Sequence, residues 1–187
     1  MDFKVLGIRF LTGTLFFLLF IFLINFDTNL LKFFILLIYI IIFIEIFIYF
    51  IKKKIIIFLY TFSSFILFQI YLFYNFSIKS LMFMIFLIIC FDTFSYIFGS
   101  LFGKSKILPS ISPNKTYLGA LSGFFISIFS AYFVFSFSYN LLLINYILIS
   151  SLVIIFAFIG DLLESYFKRL SNIKNSSALL PGHGGFF

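Results

Sequence analysis

The sequence predicts an all-α fold: a polytopic transmembrane helical bundle of about six spans with both termini in the cytoplasm. Three observations carry that prediction. Of 187 residues, 64% are hydrophobic and 10% charged, with a mean hydropathy of +1.25, a balance that membrane spans explain and a soluble core does not. The apolar runs approach 20 residues, the length a helix needs to cross hydrocarbon, and Pro109, Pro113 and Pro181 all lie outside them. The 13 lysines and arginines cluster between the runs rather than along them.

The candidate spans follow in order at roughly 6–24, 33–51, 55–73, 80–98, 117–137 and 141–160. "NFDTN" separates the first two, and Lys52–Lys54 close the second. "YNFSIKS" follows the third, a long loop over 99–116 the fourth, and "SYN" at 138 the fifth. No repeat or low-complexity linker interrupts the chain, so 1–187 reads as one integral membrane domain. Within it, 1–91 holds featureless hydrophobic spans and 92–187 holds the chemical variety. No small-residue cleavage site follows the first run, which argues against a signal peptide. Cys90 lies within a run and reads as a small core residue.

With the N-terminus inside, Lys4, Arg9, Lys52–Lys54, Lys104, Lys106, Lys115, Lys168, Arg169 and Lys174 fall on the inner side and only Lys32 and Lys79 on the outer. That is the positive-inside bias of a multi-pass inner-membrane protein. It accounts for the net charge of +7 without a nucleic-acid partner. Both polar segments, "FDTFSYIFGSLFGKSKILPSISPNKTYLG" and "GDLLESYFKRLSNIKNSSALLPGHGG", then face the cytoplasm, and the chemistry with them.

Among six acids, Asp2 and Asp27 read as solvated, and Glu45 in the second span reaches the interface or pairs with a lysine. Asp92 and Asp161 approach the inner boundary from spans four and six, Asp161 at the end of its span. A carboxylate at that depth needs a partner. Two readings stay open: a Mg²⁺ site, completed by substrate phosphates, or a salt bridge to Lys168, Arg169 or Lys104. Glu164, three residues after Asp161, shares its face if the helix continues. In the middle loop Ser112, Asn114, Lys115 and Thr116 are candidate polyphosphate contacts around a turn set by Pro113. In the tail Lys168, Arg169 and Lys174 are either an anchor for anionic lipid or phosphate ligands. Gly182, Gly184 and Gly185 let backbone approach a phosphate, with His183 among them to donate a hydrogen bond or ligate metal. No P-loop pattern occurs.

These segments resemble the phosphatidate cytidylyltransferases (CDP-diacylglycerol synthases). Ser165, Lys168, Arg169, Lys174, Leu180, Pro181, His183, Gly184 and Gly185 stand in register with the family signature S-x-x-K-R-x4-K-D-x-[small]-x2-L-P-x-H-G-G-x-x-D-R-x-D. "GDLLES", "FDTFSYIFGSLFGK" and "SPNKTYLG" are similar to its G-D-x-x-E-S, D-T-x-A-Y-x-x-G-x-x-F-G-K and S-P-K-K-T-W-E-G. The likeness runs from Asp92 to Phe187. It implies that CTP and membrane phosphatidate yield CDP-diacylglycerol and diphosphate with Mg²⁺ as cofactor. It assigns metal binding to Asp161, Asp92 and Glu164. Lys168, Arg169, Lys174 and His183 take catalytic roles. Ser112, Asn114, Lys115, Thr116, Ser165, Gly184 and Gly185 contact substrate. A homodimer is a permitted assembly.

The chain departs from the pattern at Asn175, where the signature has Asp, and at Leu118, where the middle motif has Glu. It ends at Phe187, before D-R-x-D and a further span, so the expectation is a C-terminally truncated member. An inactive relative is one alternative. A small transporter component using Asp92 and Asp161 as a cation path is the other, disfavoured because the outer face is bare.

Two expectations are testable here. A reporter fused after Phe187 is expected in the cytoplasm, and a periplasmic signal would reject the orientation. The acidic losses imply nucleotide binding without efficient turnover. CDP-diacylglycerol formation by the 187-residue chain should thus fall about 10²–10³-fold below an intact family member, and an equal rate would show that Asp161, Glu164 and Asp92 suffice.

Overall fold

The computed structural model describes residues 3–135, 142–173, 175–177, 179–180 and 184–187, with backbone alone for 3–6, 9 and 10. Its helices are α1 (Phe3–Phe26), α2 (Thr28–Tyr49), α3 (Lys54–Tyr74), α4 (Ile78–Phe102), α5 (Tyr117–Phe135) and α6 (Leu143–Leu170). A two-stranded antiparallel sheet, β1 (Lys106–Leu108) with β2 (Ser112–Thr116), lies between α4 and α5 in the chain. The long loop expected over 99–116 is therefore largely ordered: α4 runs past the predicted end at 98 to Phe102 and Pro109 lies in the hairpin's turn. Five helices are long and apolar enough to cross a membrane, and α1 contributes the shorter apolar stretch Leu11–Phe26. At most 22% of each of the five apolar windows is buried within the protein. The rest suits hydrocarbon as its solvent, where only structures that satisfy their own backbone hydrogen bonds persist.

The chain divides into two compact units, Met1–Asn75 with Phe167–Phe187, and Phe76–Tyr166. In the first, Asp27 caps α2 by accepting from the Asn29 amide at 2.8 Å. Asn29 is the second helical residue, so the cap satisfies one of the orphan donors of the first turn. After α2 the chain breaks at the lysine triplet, with Lys53 in the left-handed region (φ 53°). Two of these like charges flank a turn, and α3 then restarts at the third. Helices α2 and α3 interlock through aromatic edges, Tyr39 on Phe65 at 5.1 Å and Phe43 on Phe58 at 5.3 Å, above buried Ile46, Ile57, Leu31 and Leu72. Glu45, expected to reach the interface or pair with a lysine, makes no ion pair with a lysine among the described residues. It is 1% exposed, and the chain's last residues fold back to supply its hydrogen-bond donors.

The second unit is organised by α4 against α5, its most closely packed pair. Gly119, Gly123, Ser127 and Ala131 recur every fourth residue of α5 and are all buried. Such a stripe of small residues lets two helix backbones meet when lipid offers no hydrophobic drive to pack them. A Cβ on Gly119 would lie 2.5 Å from the Ser95 carbonyl oxygen and 2.9 Å from Gly99 Cα, and one on Gly123 2.9 Å from the Phe91 carbonyl oxygen. Helix α6 closes the core with Tyr146 and Ile154 against Phe83, Leu87 and Phe91, and the Tyr146 hydroxyl donates to the Ile128 carbonyl at 3.0 Å. Helix α6 continues past Asp161 to Leu170, so Asp161 and Glu164 lie on one helix. Cys90 is half-buried rather than in the core.

Gly119→Ala should destabilise the protein by about 1–3 kcal/mol, since the added methyl meets backbone that cannot yield. Gly13→Ala, where a Cβ meets nothing within 4 Å, should be neutral or stabilising by up to about 1 kcal/mol from helix propensity. Thermal unfolding of the two variants in one detergent checks the contrast. Equal midpoints would contradict the packing argument.

Candidate active site

Within the second unit, α4, β2, α5 and α6 enclose a cavity of about 300 Å³. Helix α4 contributes Asp92, Ser95 and Tyr96, residues spaced i, i+3 and i+4 and so on one face. Helix α6 contributes Phe158 and Asp161 by the same spacing, and β2 contributes Ser112, Asn114, Lys115 and Thr116. Segments from three stretches of the chain, around residues 91–96, 112–120 and 158–161, are thus gathered, and the glycine contact of α5 with α4 brings the strand that precedes α5 alongside.

Thr116 does part of that work. Its Oγ1 accepts from the Gly119 amide at 3.1 Å and caps α5. The same hydroxyl lies where a Cβ on Gly99 or Gly103 would sit, at 3.0 Å in the case of Gly99. Glycine at both positions is what lets the capping residue nestle against the end of α4.

The charge in the cavity is balanced locally. The Lys115 ammonium forms an ion pair with Asp161 Oδ2 and lies 4.9 Å from the centre of the Phe158 ring, over its negative face. The lysine is 21% and the aspartate 49% exposed. Of the two readings left open above, a salt bridge is therefore present, but with Lys115 and not with Lys168, Arg169 or Lys104. The β2 strand carries Lys115 to Asp161, whereas Lys168 and Arg169 lie two turns along α6 from it.

The donor set also fits Mg²⁺. Two carboxylates on one cavity, with hydroxyl and amide oxygens of Ser95, Ser112 and Asn114 beside them, are hard oxygen ligands. No group of three acidic, histidine or cysteine ligands occurs among the described residues. Mg²⁺ takes one or two carboxylates and completes its shell with water and substrate phosphate.

The remaining predicted residues lie elsewhere. Glu164 and Ser165 follow on α6 but do not line this cavity. Lys168 and Arg169 occupy the last turn of α6, where cations oppose the partial negative charge of the helix terminus, and belong to the first unit with Gly184 and Gly185. Gly184 adopts φ +108° and exchanges backbone hydrogen bonds with Leu180, of 2.6 and 2.9 Å. A side chain there would be strained and would press on Asn175 at 3.0 Å. Lys174 and His183 lie outside the described residues. Leu118 is exposed and does not line the cavity, so its departure from the family pattern leaves these walls unchanged. Ser95, Tyr96 and Phe158 were not read from the sequence as cavity residues. Their helical spacing from Asp92 and Asp161 was the available signal.

Apolar helices holding an acidic pair, a lysine and neutral oxygen donors around one cavity define an integral membrane protein with a polar site suited to a charged ligand. Residues 5–187 match the Cytidylyltransferase family, and the chain belongs to it. Among curated relatives it is similar to phosphatidate cytidylyltransferases of Staphylococcus aureus (46% identity over 99 residues) and Staphylococcus haemolyticus (45% over 95 residues). Each alignment covers 50% of this chain and 36% of the relative. The enzyme of that name from Haemophilus influenzae is 38% identical over 99 residues, covering 50% of this chain and 34% of its own length. The matched segment thus spans about a third of these relatives. No solved structure matches.

Removing the lysine should strengthen divalent-cation binding at the acidic pair. A unit charge at about 4 Å is worth about 4 kcal/mol at an effective dielectric of 20, so recovery of a third of it raises affinity about tenfold. Lys115→Ala should accordingly bind Mn²⁺ about tenfold more tightly than the parent by electron paramagnetic resonance titration, and Asp161→Asn more weakly. Unchanged Mn²⁺ affinity in both variants would place the cation elsewhere.

Proposed function

We propose that the chain carries the catalytic region of a phosphatidate cytidylyltransferase, converting CTP and phosphatidate to CDP-diacylglycerol and diphosphate at the cytoplasmic face of the inner membrane. The observation that carries the reading is the gathering of Asp92, Asp161, Lys115, Ser112, Asn114 and Thr116 on one cavity, in a chain of the Cytidylyltransferase family. These are the residues that three of the four family-like motifs supply.

In this reading a phosphate oxygen of phosphatidate attacks the α-phosphorus of CTP. A new P–O bond forms, the bond from that phosphorus to the bridging oxygen breaks, and diphosphate leaves with the electron pair. Covalent assistance from the protein is not required, so catalysis rests on positioning and charge stabilisation. Lys115 exchanges its carboxylate partner for a phosphate oxygen. Ser112 and Asn114 donate hydrogen bonds to the polyphosphate, and Thr116 holds β2 against the end of α4. Asp161 and Asp92, with Glu164 as a further candidate, would hold Mg²⁺, which when bound neutralises charge on the phosphates. Lys168, Arg169, Lys174 and His183 stabilise the leaving diphosphate. Ser165, Gly184 and Gly185 contact substrate through hydroxyl and backbone amide. The apolar surface of the bundle keeps the acyl chains of phosphatidate in hydrocarbon while its headgroup enters. No nucleic-acid partner is part of this reading, and a homodimer is compatible with it.

Labelled CTP binding by the chain in vesicles containing phosphatidate tests the proposal. Binding should require Mg²⁺ and weaken about tenfold or more in Asp161→Asn and Asp161→Ala, the loss of a charged ligand being worth at least one charge-assisted hydrogen bond. Binding of CTP unaffected by either substitution, or none at all, would overturn it.

A further inference from the structure

Glu45 is a buried acid that neither the cavity nor the family motifs employ. Four residues from the end of α2, it is 1% exposed. A carboxylate placed in a bundle of apolar helices is costly unless its oxygens are satisfied. Among the described residues, one segment supplies the donors. Ser177 Oγ donates to Oε1 at 2.5 Å and Ser176 Oγ to Oε2 at 3.0 Å. The Phe186 amide donates to both oxygens, at 3.1 and 3.0 Å, and the Phe187 amide to Oε2 at 3.0 Å. Every partner is a donor, the complement of an acceptor-only carboxylate. The two ends of the 176–187 segment thus meet on a single charge, and Ser176 Oγ also contacts the Phe187 carbonyl at 2.7 Å. Gly185 lies directly against this group. A Cβ there would fall 2.6 Å from each Glu45 oxygen and closer still to Ser176 Oγ.

We propose that Glu45 is a positioning residue that ties Ser176 and Ser177 to Phe186 and Phe187 and so holds Gly184 and Gly185 in register. It touches no substrate. Its effect on nucleotide passes through these residues, and that part rests on the function proposed above. The close contact at Gly185 gives the second glycine of the pair a requirement of its own: it makes room for a carboxylate of the chain itself.

The test compares the full chain with Glu45→Gln, Glu45→Asp, Ser176→Ala/Ser177→Ala and Gly185→Ala in the same vesicles. Amide hydrogen exchange of the C-terminal peptide and binding of labelled CTP with Mg²⁺ are measured on each. In Glu45→Gln an amide NH₂ replaces one acceptor oxygen. Exchange at Phe186 and Phe187 should rise and CTP affinity should fall, each by about tenfold or more. Exchange in α4 and α5 should stay unchanged. Glu45→Asp keeps the charge and should restore part of both signals, a rescue that filling space alone would not produce. The double serine variant and Gly185→Ala should move the same two readouts in the same direction. Parental exchange in Glu45→Gln would overturn the proposal, as would a freed tail with parental CTP affinity. Protection of the tail that Glu45→Gln removes, in a parent chain that binds no CTP, would sustain the anchor and overturn the proposed function instead.

Discussion

Between Ser95 and Gly99 of α4 and Gly119 and Gly123 of α5 there is no room for a side chain, and the polar cavity hangs on that contact. The helices meet backbone to backbone, so the strand entering α5 is delivered to the end of α4. Thr116 then satisfies an α5 amide while filling the hollow left by Gly99 and Gly103. Lys115, the preceding residue, can only point where that capping geometry sends it, toward Asp161 and the Phe158 ring. Longer side chains along the stripe would part the helices and carry β2 away from both aspartates.

The same logic of satisfaction governs the charges. In hydrocarbon an unpaired charge is expensive and a paired one is tolerable. Asp161 is paired with a lysine in a cavity that leaves half of it accessible. In the proposed function its partner is traded for phosphate or a cation. Glu45 is 1% exposed and held by hydroxyls and amides of its own chain. One carboxylate is thus placed for exchange and the other for permanence, and accessibility, more than partner strength, separates them.

Much of this was legible in the residues. The apolar runs placed all six helices to within a few residues at most ends, and three of the four motifs named Asp92, Asp161, Ser112, Asn114, Lys115 and Thr116 of the cavity. Less legible was the hairpin, because "KIL" and "SPNKT" are too short to show a period of two and one carries a proline. Helix α6 continues through Asp161 because Leu162, Leu163 and the following residues are good helix formers, a propensity that the drop in hydropathy concealed. The small-residue stripe of α5 was present in the sequence as Gly119, Gly123, Ser127 and Ala131, but its spacing speaks only once a facing helix is known.

What the sequence by itself determined is the membrane class, the number of helices and the family, since these follow from run length, composition and ordered motifs that need no knowledge of distant contacts. Tertiary structure alone decided which charge answers which. Hydropathy and spacing offered Lys168, Arg169 and Lys104 as partners for Asp161, not Lys115, and made Glu45 an acid near a lysine triplet. The choice of Lys115 depends on a strand aligned by a glycine contact. The burial of Glu45 depends on a tail 131 residues away folding back onto it. Pairings at such separations are set by the geometry of packed helices, which no local pattern of residues encodes.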